Sequence, residues 1–132
     1  MLPTDVTYRE GPPVDPVALE RLFTAVGFNR SRDPAHLTAM VEGARWAVSA
    51  WVGGELVGFA RAVSDGVSIA YVSTVAVHPD HQRRGVGREL MRRLVEGRGG
   101  VKFVVHTSPA GERLYRSLGF VDATQMLVLP RS

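Results

Sequence analysis

The chain has no cysteine, and this absence excludes several kinds of site at once. Disulfides, zinc sites built on thiolates and cysteine nucleophiles are all ruled out. Lysine is almost missing too, since Lys102 stands alone against fifteen arginines. No stretch approaches the ~18–20 consecutive apolar residues of a membrane span. Residues 1–5 lack the basic and apolar regions of a signal peptide, so we expect a cytoplasmic protein with no membrane partner.

What is present suffices for one globular core. Of the 132 residues, 45% are hydrophobic and 22% are charged, both near the averages of globular proteins. A chain of this length fits one core, so we expect residues 1–132 to form a single domain. The net charge of +3 is uneven, because residues 1–66 carry −2 and residues 67–132 carry +5. The basic half would favour a polyanionic ligand.

Apolar periodicity and turn residues predict an alternation of strands and helices. Asp15-Pro16 and Asp33-Pro34 are typical helix starts, and Gly53-Gly54 is typical of a tight hairpin. The predicted order is β-α-α-β-β-β-α-β-α-β, an α/β three-layer sandwich with a central mixed, mostly antiparallel, twisted sheet and helices on both faces. Strands are predicted at 4–9, 44–52, 55–63, 67–77, 101–106 and 126–129, and helices at 16–26, from 34, at 85–98 and at 109–118.

The most informative stretch runs from Val75 to Met91. An apolar, β-branched run stops at His78-Pro79, and Gly85-Val86-Gly87 then leads into a helical pattern. Glycine allows the backbone to come close to a ligand, and the first N–H groups of a helix have no partner inside it. The helix dipole adds partial positive charge at the same end. The sequence therefore predicts an anion-binding turn.

Two common glycine motifs do not fit this turn. A dinucleotide-binding fingerprint needs a third glycine, where this chain has Leu90, and an acid about 20 residues further on, which is missing. A Walker A loop needs Gly-Lys followed by Ser or Thr, which does not occur.

Three features in the expected order resemble one family. Gln82 to Gly87 reads Gln-Arg-Arg-Gly-Val-Gly and matches the Q/R-x-x-G-x-G/A signature of the GCN5-related N-acetyltransferase (GNAT) superfamily. Val75–Pro79 resembles the strand-to-turn segment of that family, and Leu114–Phe120 resembles its late helix-to-strand motif. The element order resembles the family fold from about residue 4 to residue 129. The chain is thus similar to a small, single-domain member of the GNAT superfamily.

The resemblance implies acetyl-CoA as co-substrate and no metal. The pyrophosphate would lie on backbone N–H groups between Arg83 and Arg88, with glycines where a Cβ would block its oxygens. Arginine side chains would add charge-assisted contacts, Gln82 would orient the turn, and the pantetheine arm would run along the strand as an added strand. The cofactor-binding residues implied are Val75, Ala76, Val77, Gln82, Arg83, Arg84, Gly85, Val86, Gly87 and Arg88.

The resemblance also implies the reaction. A primary amine, either a small amine or a lysine or N-terminal amine, would attack acetyl-CoA directly in a ternary complex. Tyr115 would be the general acid that protonates the departing thiolate. Many relatives have an acid at the position of residues 71–74, which hold no carboxylate here. The base stays open between a water held by Ser73 or Thr74 and the side chains of His78 and His106.

The acceptor site is the least defined part of the prediction. The candidate residues are Phe28, Asn29, Arg30, Ser73, Thr74 and His106. Phe28 would line an amine site or cap the core. A rival function is a non-catalytic acyl-CoA-binding regulatory module. Nucleic-acid binding is disfavoured, because Glu89 and Glu96 interrupt the basic helix face. A short mixed sheet leaves edges, so a homodimer formed by edge pairing is also expected.

Overall fold

The computed structural model of the protein describes residues 5–28, 33–123 and 125–131. Within them, five strands form one sheet in the order β1-β2-β3-β4-β5. The strands are β1 (Thr7–Glu10), β2 (Trp46–Val52), β3 (Glu55–Ser64), β4 (Ile69–Val77) and β5 (Lys102–Val105). The helices are α1 (Pro16–Val26), α2 (Pro34–Gly43), α3 (Val86–Val95) and α4 (Pro109–Ser117), and a short 3-10 turn spans Pro79–His81.

The helices begin where local signals placed them. The Asp15 carboxylate accepts a hydrogen bond of 3.0 Å from the Val17 N–H, and Pro16 needs no such partner. Helix α1 ends at Gly27, whose φ of +84° is the left-handed conformation that glycine adopts freely. The longest helix of the described ranges, α1, has 11 residues, and none of these helices combines the length and the apolar character of a membrane crossing.

The sheet has helices on both faces, which confirms the predicted α/β three-layer architecture. Strands β1 to β4 are antiparallel neighbours, and β5 is parallel to β4. Residues of α1 and α2 pack on one face around Phe59. Residues of α3 and α4 pack on the other face, around Ala60 and Ala62. These alternating positions of β3 send successive side chains into the two cores.

Strand β4 has a bulge and then leaves its parallel neighbour. Arg61 of β3 pairs with Thr74, but the next residue, Ala62, pairs with Val72, so Ser73 is an extra residue in β4. The pairs between β4 and β5 run only from Ile69 to Val72 on the β4 side. Beyond the bulge, residues 74–77 pair with β3 alone among the described residues. We call this opening between β4 and β5 the fork.

Helix α3 lies very close to the sheet at one glycine. A Cβ on Gly58 would be 3.0 Å from Cγ1 of Val86 and 3.1 Å from Cδ1 of Leu90. Both side chains are buried, so an added methyl group would push the first turn of α3 outward. Gly58 therefore sets the height of that turn above the sheet.

The predicted strand at Met126–Leu129 is wrong. No ladder includes these residues in the described part of the chain, and Leu127 and Leu129 are 97% and 96% exposed. An apolar run becomes a strand only when another strand supplies its hydrogen bonds.

The ends of several other elements differ from the predicted ones by a few residues. Strand β1 begins at Thr7, and α3 ends at Val95 because Glu96 has extended ψ of 135°.

Candidate functional site

The turn between β4 and α3 is held in an uncommon backbone conformation. Gly85 has a φ of +83° and Arg83 a φ of +65°, so two residues of the turn are left-handed. Glycine adopts this conformation readily, whereas arginine does so rarely. Strained backbone of this kind is concentrated at binding sites. A Cβ on Gly85 would meet nothing within 4 Å, so the conformation explains this glycine better than packing does.

Two side chains tie this turn to the end of the sheet. The Gln82 amide nitrogen donates a hydrogen bond of 3.0 Å to the Val77 carbonyl. The Nδ1 atom of His78 accepts one of 3.1 Å from the Asp80 N–H, and the His78 N–H donates to the Val57 carbonyl at 2.8 Å. His78 thus has a structural role in the turn, which removes one nitrogen of its ring from the candidates for a base.

The first turn of α3 presents N–H groups without a side-chain cap. Gly85 is its N-cap residue and has no side chain to accept a hydrogen bond. Such N–H groups and the helix dipole favour an anion at this point. The neighbouring Arg83 and Arg84 side chains are exposed. A backbone cradle and two nearby guanidinium groups can hold a pyrophosphate.

Gly87 has a packing role besides any contact with a ligand. A Cβ at this position would lie 3.4 Å from Cδ2 of Leu114 and 3.6 Å from Cγ2 of Val77. The first turn of α3, the end of β4 and the side chain before Tyr115 therefore meet at Gly87. The family resemblance explains this glycine by the phosphate oxygens, and the structure adds the packing against Leu114 and Val77.

Tyr115 lies on α4 in a partly apolar setting. Its ring is 5.6 Å from the ring of Phe120, at an interplanar angle of 66°. Burial raises the pKa of the Tyr115 hydroxyl above its ordinary value. The side chain therefore remains protonated throughout the neutral range and can donate a proton. Arg88 donates a hydrogen bond of 2.8 Å from Nη1 to the hydroxyl of Ser117, two residues further along α4.

Ser73 and Thr74 are brought together with a residue that sequence reasoning missed. The Arg61 side chain donates from Nε to the Thr74 hydroxyl at 3.2 Å and from Nη2 to the Ser73 hydroxyl at 3.0 Å. A sequence signal existed, because Arg61 interrupts an otherwise apolar run from residue 56 to 63. An isolated charge inside a buried strand deserves a functional explanation as well as a structural one.

Two further acceptor candidates, Phe28 and His106, lie within the described residues. The Phe28 ring lies 5.3 Å from that of Phe23 and packs against the core beside α1, which favours the core-capping interpretation. Asn29 and Arg30 lie outside the described residues. His106 follows β5 directly and is exposed, on the far side of the fork from Ser73.

The basic face of α3 is largely neutralised by its own acids. Glu89 accepts hydrogen bonds from Arg92 and Arg93, and Arg92 also contacts Glu96. The bonds from Arg92 are the main reason why the pKa of Glu89 falls to about 2. Within the described ranges, no three His, Asp or Glu side chains come close enough together to hold a metal ion.

Comparison with known proteins identifies the family. Residues 44–122 match the acetyltransferase (GNAT) domain. The chain is 39% identical to GCN5-related N-acetyltransferase 1, chloroplastic, of Arabidopsis thaliana, over 79% of this chain and 55% of that protein. It is 35% identical to serotonin N-acetyltransferase 2, chloroplastic, of Oryza sativa subsp. japonica, over 90% of this chain and 64% of that protein.

A solved structure gives the same result for the whole fold. A GNAT-family acetyltransferase from Streptococcus pneumoniae TIGR4 superposes with a TM-score of 0.78 and 26% identity, covering 97% of this chain and 100% of that one. The chain spans between 55% and 64% of the length of the two plant relatives. From the matched domain, the identities and the fold, this chain belongs to the GNAT family of acetyltransferases, enzymes whose acetyl donor is acetyl-CoA.

Proposed function

We propose that the protein is an N-acetyltransferase that moves an acetyl group from acetyl-CoA to a primary amine. The observation that carries this proposal is the fork. Among the described residues, it leaves the β5-side edge of β4 unpaired from Ser73 to Val77, and it leads to the uncapped start of α3. An extended ligand with a pyrophosphate at one end matches such a site. Tyr115 is on the helix that packs beside the same end of β4.

The cofactor would occupy the site in two parts. The pantetheine amides would pair with the free edge of β4 at Val75 and Val77, as a further strand would. The pyrophosphate would accept hydrogen bonds from backbone N–H groups between Arg83 and Arg88. Arg83 and Arg84 have exposed side chains that supply charge. Arg88 would reach a phosphate only by sharing or leaving its contact with Ser117.

The chemistry then follows from the groups near the thioester. The amine nitrogen forms a bond to the carbonyl carbon, and a backbone N–H of β4 near Val75 stabilises the negative charge on the oxygen. When the carbon–sulfur bond breaks, the Tyr115 hydroxyl gives its proton to the thiolate. A raised pKa of Tyr115 keeps that proton available. The products are an amide and free CoA, and the Tyr115 phenolate takes a proton back from solvent.

The proton of the attacking amine leaves through water. Residues 71–74 supply no carboxylate, and the hydroxyls of Ser73 and Thr74 each accept a hydrogen bond from Arg61. Each hydroxyl still has its own proton to donate and a lone pair to spare. They would hold a water molecule that relays the proton to solvent.

Two measurements test this proposal. Calorimetry with desulfo-CoA should show binding with a Kd in the micromolar range, the order usual for such substrates. A panel of amines and peptides scored by free-thiol release should then identify the acceptor class. Binding without thiol release from any acceptor would instead support a non-catalytic acyl-CoA-binding module. Absence of both binding and thermal shift at millimolar ligand would contradict the cofactor site.

We also propose that two copies form a homodimer. The outer edge of β5 has no partner strand within the described residues, and residues 126–129 expose apolar side chains. A second copy would cover both. The remaining proposals are one domain over residues 1–132, a cytoplasmic location and no nucleic-acid or membrane partner. The plant relatives are chloroplastic by name, so the location needs a direct test by fractionation.

A further inference from the structure

Arg61 is a half-buried cation without an acidic partner in the part of the chain that the structure describes. It stands in β3 between Ala60 and Ala62, which are both fully buried. No ion pair joins Arg61 to an acid within residues 5–28, 33–123 and 125–131, whereas Arg92, Arg93 and Arg116 all have such partners. Burial lowers the pKa of Arg61, yet an arginine so shifted is still charged at neutral pH. A charge in this setting favours an anionic ligand.

The guanidinium group of Arg61 is held at the start of the fork. Its two hydrogen bonds go to Thr74 and to Ser73, the extra residue of the β4 bulge. Thr74 directly precedes Val75, where the acetyl group would lie. Ala60 and Ala62 pack on the α3 side, so strand alternation turns Arg61 to the opposite face of the sheet. The cation is thus held at the start of the fork, on the face away from α3, next to the position proposed for the acetyl group.

We propose that Arg61 recognises a carboxylate on the acceptor, which makes the acceptor an amino acid or a close analogue with its amine near a carboxylate. This inference rests on the acetyltransferase function proposed above. A guanidinium group has five N–H donors, and two of them are used for Thr74 and Ser73. The three that remain can form a two-pronged pair with a carboxylate.

The same charge selects against other amines. A fixed cation repels polyamines and other acceptors whose only charges are positive. An acceptor carboxylate is attracted by Arg61 and brings its own amine to the fork. Selection of the acceptor would then depend on one side chain.

Arg61 could instead serve only to hold the bulge in place. That structural role predicts that its replacement weakens every acceptor alike, because the shape of β4 is common to all of them. Carboxylate recognition predicts a loss confined to acceptors that have the carboxylate. A comparison of matched acceptors separates these two roles.

The experiment measures kcat/KM for pairs that differ only in the carboxylate: phenylalanine with phenethylamine, alanine with ethylamine, and glutamine with 4-aminobutanamide. The wild-type chain should prefer the amino acid of at least one pair by about tenfold or more. Arg61→Gln should lower kcat/KM for the amino acid by about tenfold more than for the amine, and so remove that preference. Arg61→Lys should keep part of it. Arg45→Gln, at an exposed arginine just before β2, is the matched control and should change neither.

The other possible results separate carboxylate recognition by Arg61 from the acetyltransferase function itself. If the wild-type chain acetylates amines but shows no preference for the carboxylated partner, or if Arg61→Gln lowers both partners alike, carboxylate recognition is overturned and the acetyltransferase proposal stands. If no acceptor of any pair or of the wider amine and peptide panel releases thiol, the acetyltransferase proposal fails and this inference fails with it. Desulfo-CoA binding then shows whether the cofactor site remains. Circular dichroism of Arg61→Gln confirms that the comparison is made on folded protein.

Discussion

Arg88 of α3 and Ser117 of α4 are joined by a hydrogen bond of 2.8 Å from the guanidinium group to the hydroxyl. The Ser117 hydroxyl in turn donates to the Leu114 carbonyl at 2.6 Å. The bond connects the helix that begins at the glycine turn with the helix that carries Tyr115. The position of the acid relative to the proposed cofactor therefore depends partly on this contact.

We predict that Ser117→Ala lowers kcat by about three- to tenfold, because a hydrogen bond to a charged group contributes about 1.5–3 kcal/mol and only part of this would be felt in the position of Tyr115. The affinity for desulfo-CoA should not fall, since Ser117 is not in the anion turn and its loss leaves Arg88 free to contact a phosphate. Steady-state kinetics and calorimetry on the same preparations measure the change in kcat and the change in affinity. An equal loss of affinity and turnover would show that the contact organises the turn instead.

Tyr115→Phe should lower kcat by about 10²-fold or more, the range usual for loss of a general acid, and leave the affinity for desulfo-CoA almost unchanged. Phenylalanine keeps the ring that packs against Phe120, so the fold should persist. Unchanged turnover in this variant would show that the thiolate takes its proton from elsewhere.

The pH profile gives a second readout of Tyr115. An acid works only while protonated, and burial raises the pKa of this hydroxyl above 10.0. The activity should therefore persist through neutral and mildly alkaline pH and fall only above the ordinary tyrosine range. That alkaline fall should be absent from the residual activity of Tyr115→Phe. A fall that the variant retains would belong to another group.

The two glycines of the turn should respond differently to alanine. Gly85→Ala places a Cβ on a residue with φ of +83° and should destabilise the protein by about 1 kcal/mol and weaken CoA binding. Gly87→Ala places its Cβ at 3.4 Å and 3.6 Å from Leu114 and Val77, which asks for a small adjustment only. Thermal unfolding with and without desulfo-CoA compares them. Equal losses of stability would contradict the conformational explanation for Gly85.

The exposed apolar segment gives a test of the proposed dimer. The double variant Leu127→Asp with Leu129→Asp should shift the protein to monomer in sedimentation velocity. Its monomer stability should hardly change, because both side chains are almost fully exposed in the single chain. Val67→Asp, at another exposed apolar residue, is a suitable control. Leu90→Asp is not, because Leu90 is fully buried. A wild-type chain that is monomeric at micromolar concentration would contradict the proposal.

Local signals in the sequence were sufficient for most of the fold. Asp15 caps α1 and Gly27 ends it in the predicted way, because both effects depend on neighbours within one helical turn. The hairpin at Gly53-Gly54 is equally local. The strand prediction at residues 126–129 was wrong because it depended on a distant partner. Their apolar pattern says nothing about whether a partner strand lies within reach.

The site was predictable only in part. Spacing and resemblance led to Gly85, Gly87 and Tyr115, which stand in motifs along the chain. The fork was not visible, because it depends on where β4 and β5 separate in space. The pairing of Arg61 with Ser73 and Thr74 depends on the register of β3 against a bulge. A one-residue difference in that register would have turned these side chains apart.

Gly58 has a consequence for how this protein can vary. It belongs to β3 and lies outside the turn, yet Val86 and Leu90 of α3 rest directly on it. Any side chain there would lift the start of α3 and carry the anion turn with it. Position 58 should thus tolerate almost no substitution in a functional chain, while exposed positions such as 127 and 129 tolerate many. A saturation library selected for activity would test this by depleting every substitution at position 58.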